Sequence, residues 1–133
     1  MLAALNVLFF VFHTSLIVFN VFGWAHPKTR KWNLATLLVT LASWAGMGMC
    51  YGFGYCVCTD FHWQVREALG IEETAGSYIV LLVRNVSGWN PPIELANTVA
   101  LWVFVSALVT SIGLNARDRV KGRAGNDKPE PQE

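Results

Sequence analysis

The chain has little charge, since only 14% of its 133 residues are Asp, Glu, Lys or Arg, against roughly 25% in an average soluble protein. Its formal net charge of +1 supplies no strongly basic face, so we expect no nucleic-acid partner. The sequence also lacks a phosphate-binding glycine loop, a hydrolase triad and a paired-carboxylate motif. These absences argue against soluble-enzyme chemistry and favour a protein that is not an enzyme.

Cysteine is scarce as well. Three cysteines cannot all pair within one chain, and no wider disulfide framework exists. The amino-terminal apolar run lacks the positive start of a signal peptide and exceeds its usual length of about 7–15 residues. We therefore interpret this run as a membrane span rather than a cleaved leader.

What the sequence has in abundance is apolar residues, which make up 53% of the chain. About 21 helical residues, rising ~1.5 Å each, match the ~30 Å hydrocarbon core of a bilayer. The sequence thus predicts an all-α integral membrane protein with one transmembrane helical domain over residues 1–116 and a disordered cytoplasmic tail over 117–133. Three full spans are expected at 2–24, 32–51 and 93–114, an interfacial amphipathic helix at 60–69, and a short re-entrant or fourth helix at 77–89.

Basic residues predict the orientation. The turn from Ala25 to Lys31 carries Lys28, Arg30 and Lys31 without an acidic residue, and further basic residues follow the last span. Positive charge marks the cytoplasmic side, so we expect a multi-pass protein of the bacterial inner membrane with its amino terminus outside and its tail in the cytoplasm. Only three full crossings fit that arrangement. The alternative is a fourth crossing at 77–89, with the tail outside.

Polar residues of the first span recur at a fixed interval. Asn6, His13 and Asn20 are seven residues apart and therefore share one helix face, which should point inward. They could serve as hydrogen-bonding contacts between helices. Alternatively, His13 is a proton carrier or cofactor ligand, because ionisable residues within membranes are functional candidates.

The second span carries a face of small and weakly polar residues. Thr36, Thr40 and Ser43 follow helical spacing, and Gly46 and Gly48 near its end would let a neighbouring helix approach closely. Packing accounts for this pattern without any chemistry.

The segment after the second span holds the densest chemistry. Cys56, Cys58 and His62 form a C-x-C-x3-H pattern, and thiolates with an imidazole suit zinc or copper; Asp60 is an alternative ligand. Thr59 or Asp60 should cap a helix that Gly70 ends. The apolar face of that helix should consist of Phe61, Val65, Ala68 and Leu69.

Disulfide chemistry is the competing interpretation of the same segment. A bridge between Cys56 and Cys58 would close a very tight, strained ring and would be oxidising. A Cys50–Cys56 disulfide is the less strained alternative and would leave Cys58 free.

A third interpretation needs no chemistry at all. The interfacial helix and a tryptophan-rich rim, with Trp63 and Trp89, could bind another membrane protein or a lipid headgroup. Arg84 near that rim could hold a lipid phosphate, but pairing with Glu94 or Asp60 is the simpler expectation.

The order of these features resembles a bacterial family of small integral membrane proteins known only as a domain of unknown function. The resemblance covers roughly residues 12–119. It rests on His13, the basic turn from Lys28 to Trp32, Gly54-Tyr55-Cys56 with Thr59, and Asn115-Ala116-Arg117 at the end of the last span. The resemblance implies a membrane location and a helical bundle, and it implies no activity.

The chain departs from the family pattern in two places. Many relatives carry Cys-Pro-Leu-Thr where this chain has Cys56-Val57-Cys58-Thr59, and many have an acidic residue in the second helix that is missing here. We therefore expect a small polytopic membrane protein acting as an accessory or scaffold component, embedded in lipid and binding another membrane protein. The alternative is an extracytoplasmic metal-binding or thiol-redox protein that uses Cys56, Cys58 and His62.

Overall fold

The computed structural model describes residues 1–51, 56–72 and 74–126, and every regular element in this part of the chain is an α-helix. Three of the helices are long and apolar enough to cross a membrane, which confirms the predicted all-helical membrane fold. In chain order the helices are α1 (Leu2–Phe22), α2 (Arg30–Tyr51), α3 (Val57–Ala68), α4 (Tyr78–Ser87) and α5 (Ile93–Asn126).

α1 and α2 pack as an antiparallel pair around asparagine side chains. Asn33 near the start of α2 donates from Nδ2 to the carbonyl oxygens of Phe19 and Asn20, at 2.7 and 3.2 Å. Asn20 in turn donates to Thr40 Oγ1 at 3.0 Å. Because water is absent from a bilayer core, such amides find their partners on neighbouring helices.

α5 completes the bundle by packing against α2. Leu37, Phe104 and Ala107 form a buried apolar cluster between the two helices, with Trp44 stacked at a tilt on Phe104 at a ring distance of 4.8 Å. At the end of the bundle where α2 begins, Asn115 donates to the Arg30 carbonyl at 3.1 Å. The α1–α2 turn and the far part of α5 therefore lie at the same end.

α3 begins earlier than the sequence predicts. Cys56 occupies the N-cap position without a side-chain capping bond, so neither Thr59 nor Asp60 caps the helix. At the other end Gly70 has φ 72°, and the Ile71 N–H bonds to the Arg66 carbonyl. This left-handed glycine closes the helix as expected, since such a backbone conformation costs glycine least.

α4 is a short helix rather than a crossing. The Ser77 side chain accepts from the Val80 N–H, and Gly88 ends the helix with φ 74°. Ten residues rise about 15 Å, half of a hydrocarbon core. α5 returns to the end where α2 begins, and α4 is not among the three described helices that are long and apolar enough to cross a membrane.

α5 extends well past its predicted end at residue 114. It continues to Asn126, so the residues from 117 to 126 of the predicted disordered tail are helical. Arg30 explains part of this extension, because its guanidinium pairs with Asp118 at 2.8 Å and ties that turn of α5 to α2. Residues 127–133 lie outside the described residues.

Candidate functional site

The inward face predicted for α1 is present. His13 and Asn20 are buried, and Asn6 is partly buried on the same side. Their surroundings differ. Asn20 bonds to Thr40 of α2, whereas Asn6 contacts α3 and His13 contacts α4. The residues at these contacts with the short helices, Asn6, His13, Thr14, His62 and Tyr78, are called the imidazole–tyrosine cluster below.

α3 brings His62 into the cluster. The side chain is fully buried, at 0% exposure, and its Nε2 lies 2.8 Å from Asn6 Oδ1. Because an amide oxygen only accepts, Nε2 carries the proton and donates. The ring also stacks on Phe9, with centroids 5.9 Å apart. α3 is thus attached to α1 through its histidine.

α4 brings Tyr78 into the cluster from a second direction. Its ring lies flat against His13, with centroids 3.9 Å apart and planes 13° apart. Its hydroxyl donates to the Phe10 carbonyl at 2.9 Å and accepts from Thr14 Oγ1 at 2.9 Å. Tyr78 therefore fastens α4 to α1 and shields the imidazole of His13.

The hydrogen bonds of the cluster join the short helices to α1. Tyr78 of α4 donates to a backbone carbonyl of α1, and His62 of α3 donates to the side-chain amide of Asn6 on α1. His13 Nδ1 is buried and has no hydrogen-bond partner within the described part of the chain. These contacts therefore hold α3 and α4 against α1.

The cysteines are not gathered around His62. Cys50, Cys56 and Cys58 are free, so the predicted Cys50–Cys56 disulfide is not formed in this structure. Within residues 1–51, 56–72 and 74–126, no group of three His, Cys, Asp or Glu side chains could hold a metal ion. The physical reason is that His62 turns toward α1, where its Nε2 bonds to Asn6 Oδ1.

The environment of Cys58 also works against thiolate chemistry. Partial burial raises the pKa of the Cys58 thiol, and the neighbouring Cys56 raises it further. A raised pKa leaves less of the nucleophilic, metal-binding thiolate at neutral pH. The Gly54-Tyr55 part of the predicted motif lies outside the described residues.

Asp60 and Arg84 make local contacts. Asp60 accepts from Gln64 one helical turn away, at 2.8 Å. Arg84 donates to Thr74 Oγ1 at 2.9 Å, a partner that the sequence analysis did not anticipate. Neither residue belongs to the imidazole–tyrosine cluster.

Two members of the cluster were missed from sequence. Thr14 was one of the polar residues of the first span and Tyr78 began an apolar run, and neither was a candidate. A usable signal was present in Tyr78, because a tyrosine that opens a short apolar helix requires a partner for its hydroxyl once it is buried.

The fold and the cluster define a small helical membrane protein in which three helices long and apolar enough to cross a membrane carry two short helices at one end. The chain belongs to the family described as Protein of Unknown function (DUF2784), whose model matches residues 3–116. This match confirms the resemblance to a domain of unknown function. No curated protein and no solved structure matches the chain. The family carries no assigned activity, so function must be argued from the geometry.

Proposed function

We propose that the protein is an accessory or scaffold component of a membrane assembly, anchored by three crossings and binding another membrane protein. Its amino terminus lies outside and the end of α5 lies in the cytoplasm of a bacterial inner membrane. The basic residues of the α1–α2 turn and of the α5 end support this orientation.

The use of polar side chains supports a role without catalysis. His62, Tyr78 and the asparagines inside the bundle join one helix to another through short hydrogen bonds, as with Asn6 to His62 and Asn20 to Thr40. A catalytic site would instead leave convergent polar groups facing a substrate cavity.

One face of α2 carries the proposal. Ala42, Gly46 and Met49 are exposed along one side of the helix, and a Cβ added at Gly46 would meet nothing within 4 Å. Small residues in a membrane helix let a second helix approach closely, which is the main source of packing energy between spans. Gly46 makes no close contact with another described helix of the chain, so a helix of a partner can pack against this side of α2.

The test is co-purification from native membranes in a mild detergent, followed by cross-linking and intact-mass analysis of the complex. Gly46→Leu should lose the partner, because a large side chain prevents close approach. Gly113→Leu on α5 is the matched control, since its added Cβ also meets open space, and it should retain the partner. A wild-type protein that purifies alone from membranes would contradict the proposal.

A further inference from the structure

A long groove runs along one side of α1. It has a volume of about 640 Å³, begins at Phe10 and ends at Gly23 and Thr29 in the α1–α2 turn. Between these ends its walls are mostly apolar, with Val11, Val18 and Phe22 among them. Thirteen helical steps rise about 20 Å, which exceeds the ~15 Å depth of one bilayer leaflet. The groove is thus long enough for one extended acyl chain.

Positive charge stands at the turn end of this groove. Lys28 and Lys31 are exposed, and neither has an ion-pair partner in the part of the chain that the structure describes. Arg30 between them is already committed to Asp118. The turn contains no acidic residue, so the two lysines that flank Thr29 and Arg30 in the sequence have no acidic neighbour in the turn.

We propose that this groove binds one anionic phospholipid, with an acyl chain along α1 and the phosphate at Lys28 and Lys31. Charge complementarity selects this occupant over a second protein helix. A helix packed here would bring its own cytoplasmic end, which is usually basic, against the two lysines. An anionic headgroup instead supplies the missing negative charge, and basic sites at the cytoplasmic side bind such lipids. The lipid site is independent of the partner proposed on α2.

The apolar part of the site is tested by native mass spectrometry of the full chain, titrated with dioleoylphosphatidylglycerol or with zwitterionic dioleoylphosphatidylcholine. The wild type should retain one phosphatidylglycerol and release phosphatidylcholine. Val18→Trp should abolish this retention, because the indole fills the groove. Val109→Trp is the matched control on α5. Both valines are lipid-facing, at 52% and 65% exposure, and Val109 does not line the groove.

The charged part is tested with paired substitutions. Lys28→Gln with Lys31→Gln should weaken phosphatidylglycerol binding roughly 30-fold, as expected for removal of two interfacial lysines. Lys121→Gln with Arg123→Gln removes two cations from α5 and should leave the affinity within about twofold. Equal losses in both pairs would indicate diffuse attraction and overturn the site. Retention of phosphatidylglycerol by Val18→Trp would overturn the site as well. So would a dimer of the chain that is seen for the wild type and lost in Val18→Trp, because a second copy would then occupy the groove.

Discussion

At the scale of single residues, His62 is the side chain on which attachment of α3 depends. Its imidazole is fully buried and bonded to Asn6, and it stacks on Phe9. We expect His62→Ala to lower the free energy of unfolding by about 2–4 kcal/mol, because it leaves a cavity and a buried amide oxygen without its donor. The measurement is the unfolding midpoint in mild detergent.

Phe61 provides the control for that experiment. It precedes His62 on the same helix, yet it is 52% exposed. Phe61→Ala should change the free energy of unfolding by no more than about 0.5 kcal/mol. Comparable losses in both variants would mean that α3 is held by its general apolarity rather than by the histidine.

The same pair of residues shows why the sequence predicted this helix only in part. Apolar spacing placed Phe61 on the apolar face of an interfacial helix, since a repeat identifies an apolar side without telling protein from lipid. In the structure the polar His62 is buried instead, because Asn6 and Tyr78 supply partners that lie far away in sequence. Burial of a polar group depends on its partner, and one helix cannot reveal that partner.

The cysteines allow a second test at this scale. Intact mass after alkylation without reductant should show three labels, since all three thiols are free. Because the pKa of Cys58 is raised, its thiolate fraction at pH 7 is low and grows as the pH rises toward that pKa. Its labelling rate should therefore increase from pH 7 to pH 9 more steeply than that of an unperturbed thiol. Two labels missing together would restore the disulfide hypothesis.

At the scale of elements, the close approach of α1 and α2 depends on Gly23. A Cβ added there would lie 2.5 Å from the Phe19 carbonyl oxygen and 2.9 Å from Asn33 Nδ2. Gly23→Ala should therefore disturb the Asn33 bond to Phe19 and cost about 1–3 kcal/mol, although the backbone of Gly23 is one that alanine readily adopts. Thermal unfolding in detergent measures the loss.

Gly46→Ala is the matched variant for this prediction. Its Cβ would meet open space, and alanine is the better helix former by up to about 1 kcal/mol. The isolated protein should be unchanged or slightly stabilised. Destabilisation by Gly46→Ala, or tolerance of Gly23→Ala, would show that the assigned helix contacts are wrong.

The long elements were easier to predict than the short ones. Span α1 was expected at 2–24 and occupies Leu2–Phe22, since about twenty mostly apolar residues have the length and composition of a membrane span. α3 was expected at 60–69 but begins at Val57, because its cap residue makes no side-chain bond and so leaves no sequence signature. The extended part of α5 contains Asp118, whose partner Arg30 lies 88 positions away in sequence.

At the scale of the whole molecule, the two ends of the bundle differ in character. One end holds the short helices α3 and α4 on the imidazole–tyrosine cluster. The other end gathers the cations of the α1–α2 turn and of α5, where Asp118 pairs with Arg30. Because positively charged ends stay on the cytoplasmic side, this difference in charge predicts the orientation of the protein in the membrane.

Orientation is tested with single cysteines placed at the two ends of a cysteine-free chain. Glu72→Cys lies beyond α3 and Lys121→Cys lies near the end of α5, and both positions are exposed. In intact cells a membrane-impermeant maleimide should label Glu72→Cys, whereas Lys121→Cys should react only after permeabilisation, because the basic end remains in the cytoplasm. Labelling of both in intact cells would require a fourth crossing and would contradict the contact between Arg30 and Asp118. Labelling of Lys121→Cys alone would mean that the protein has the opposite orientation, with the lysines of the proposed lipid site in the outer leaflet.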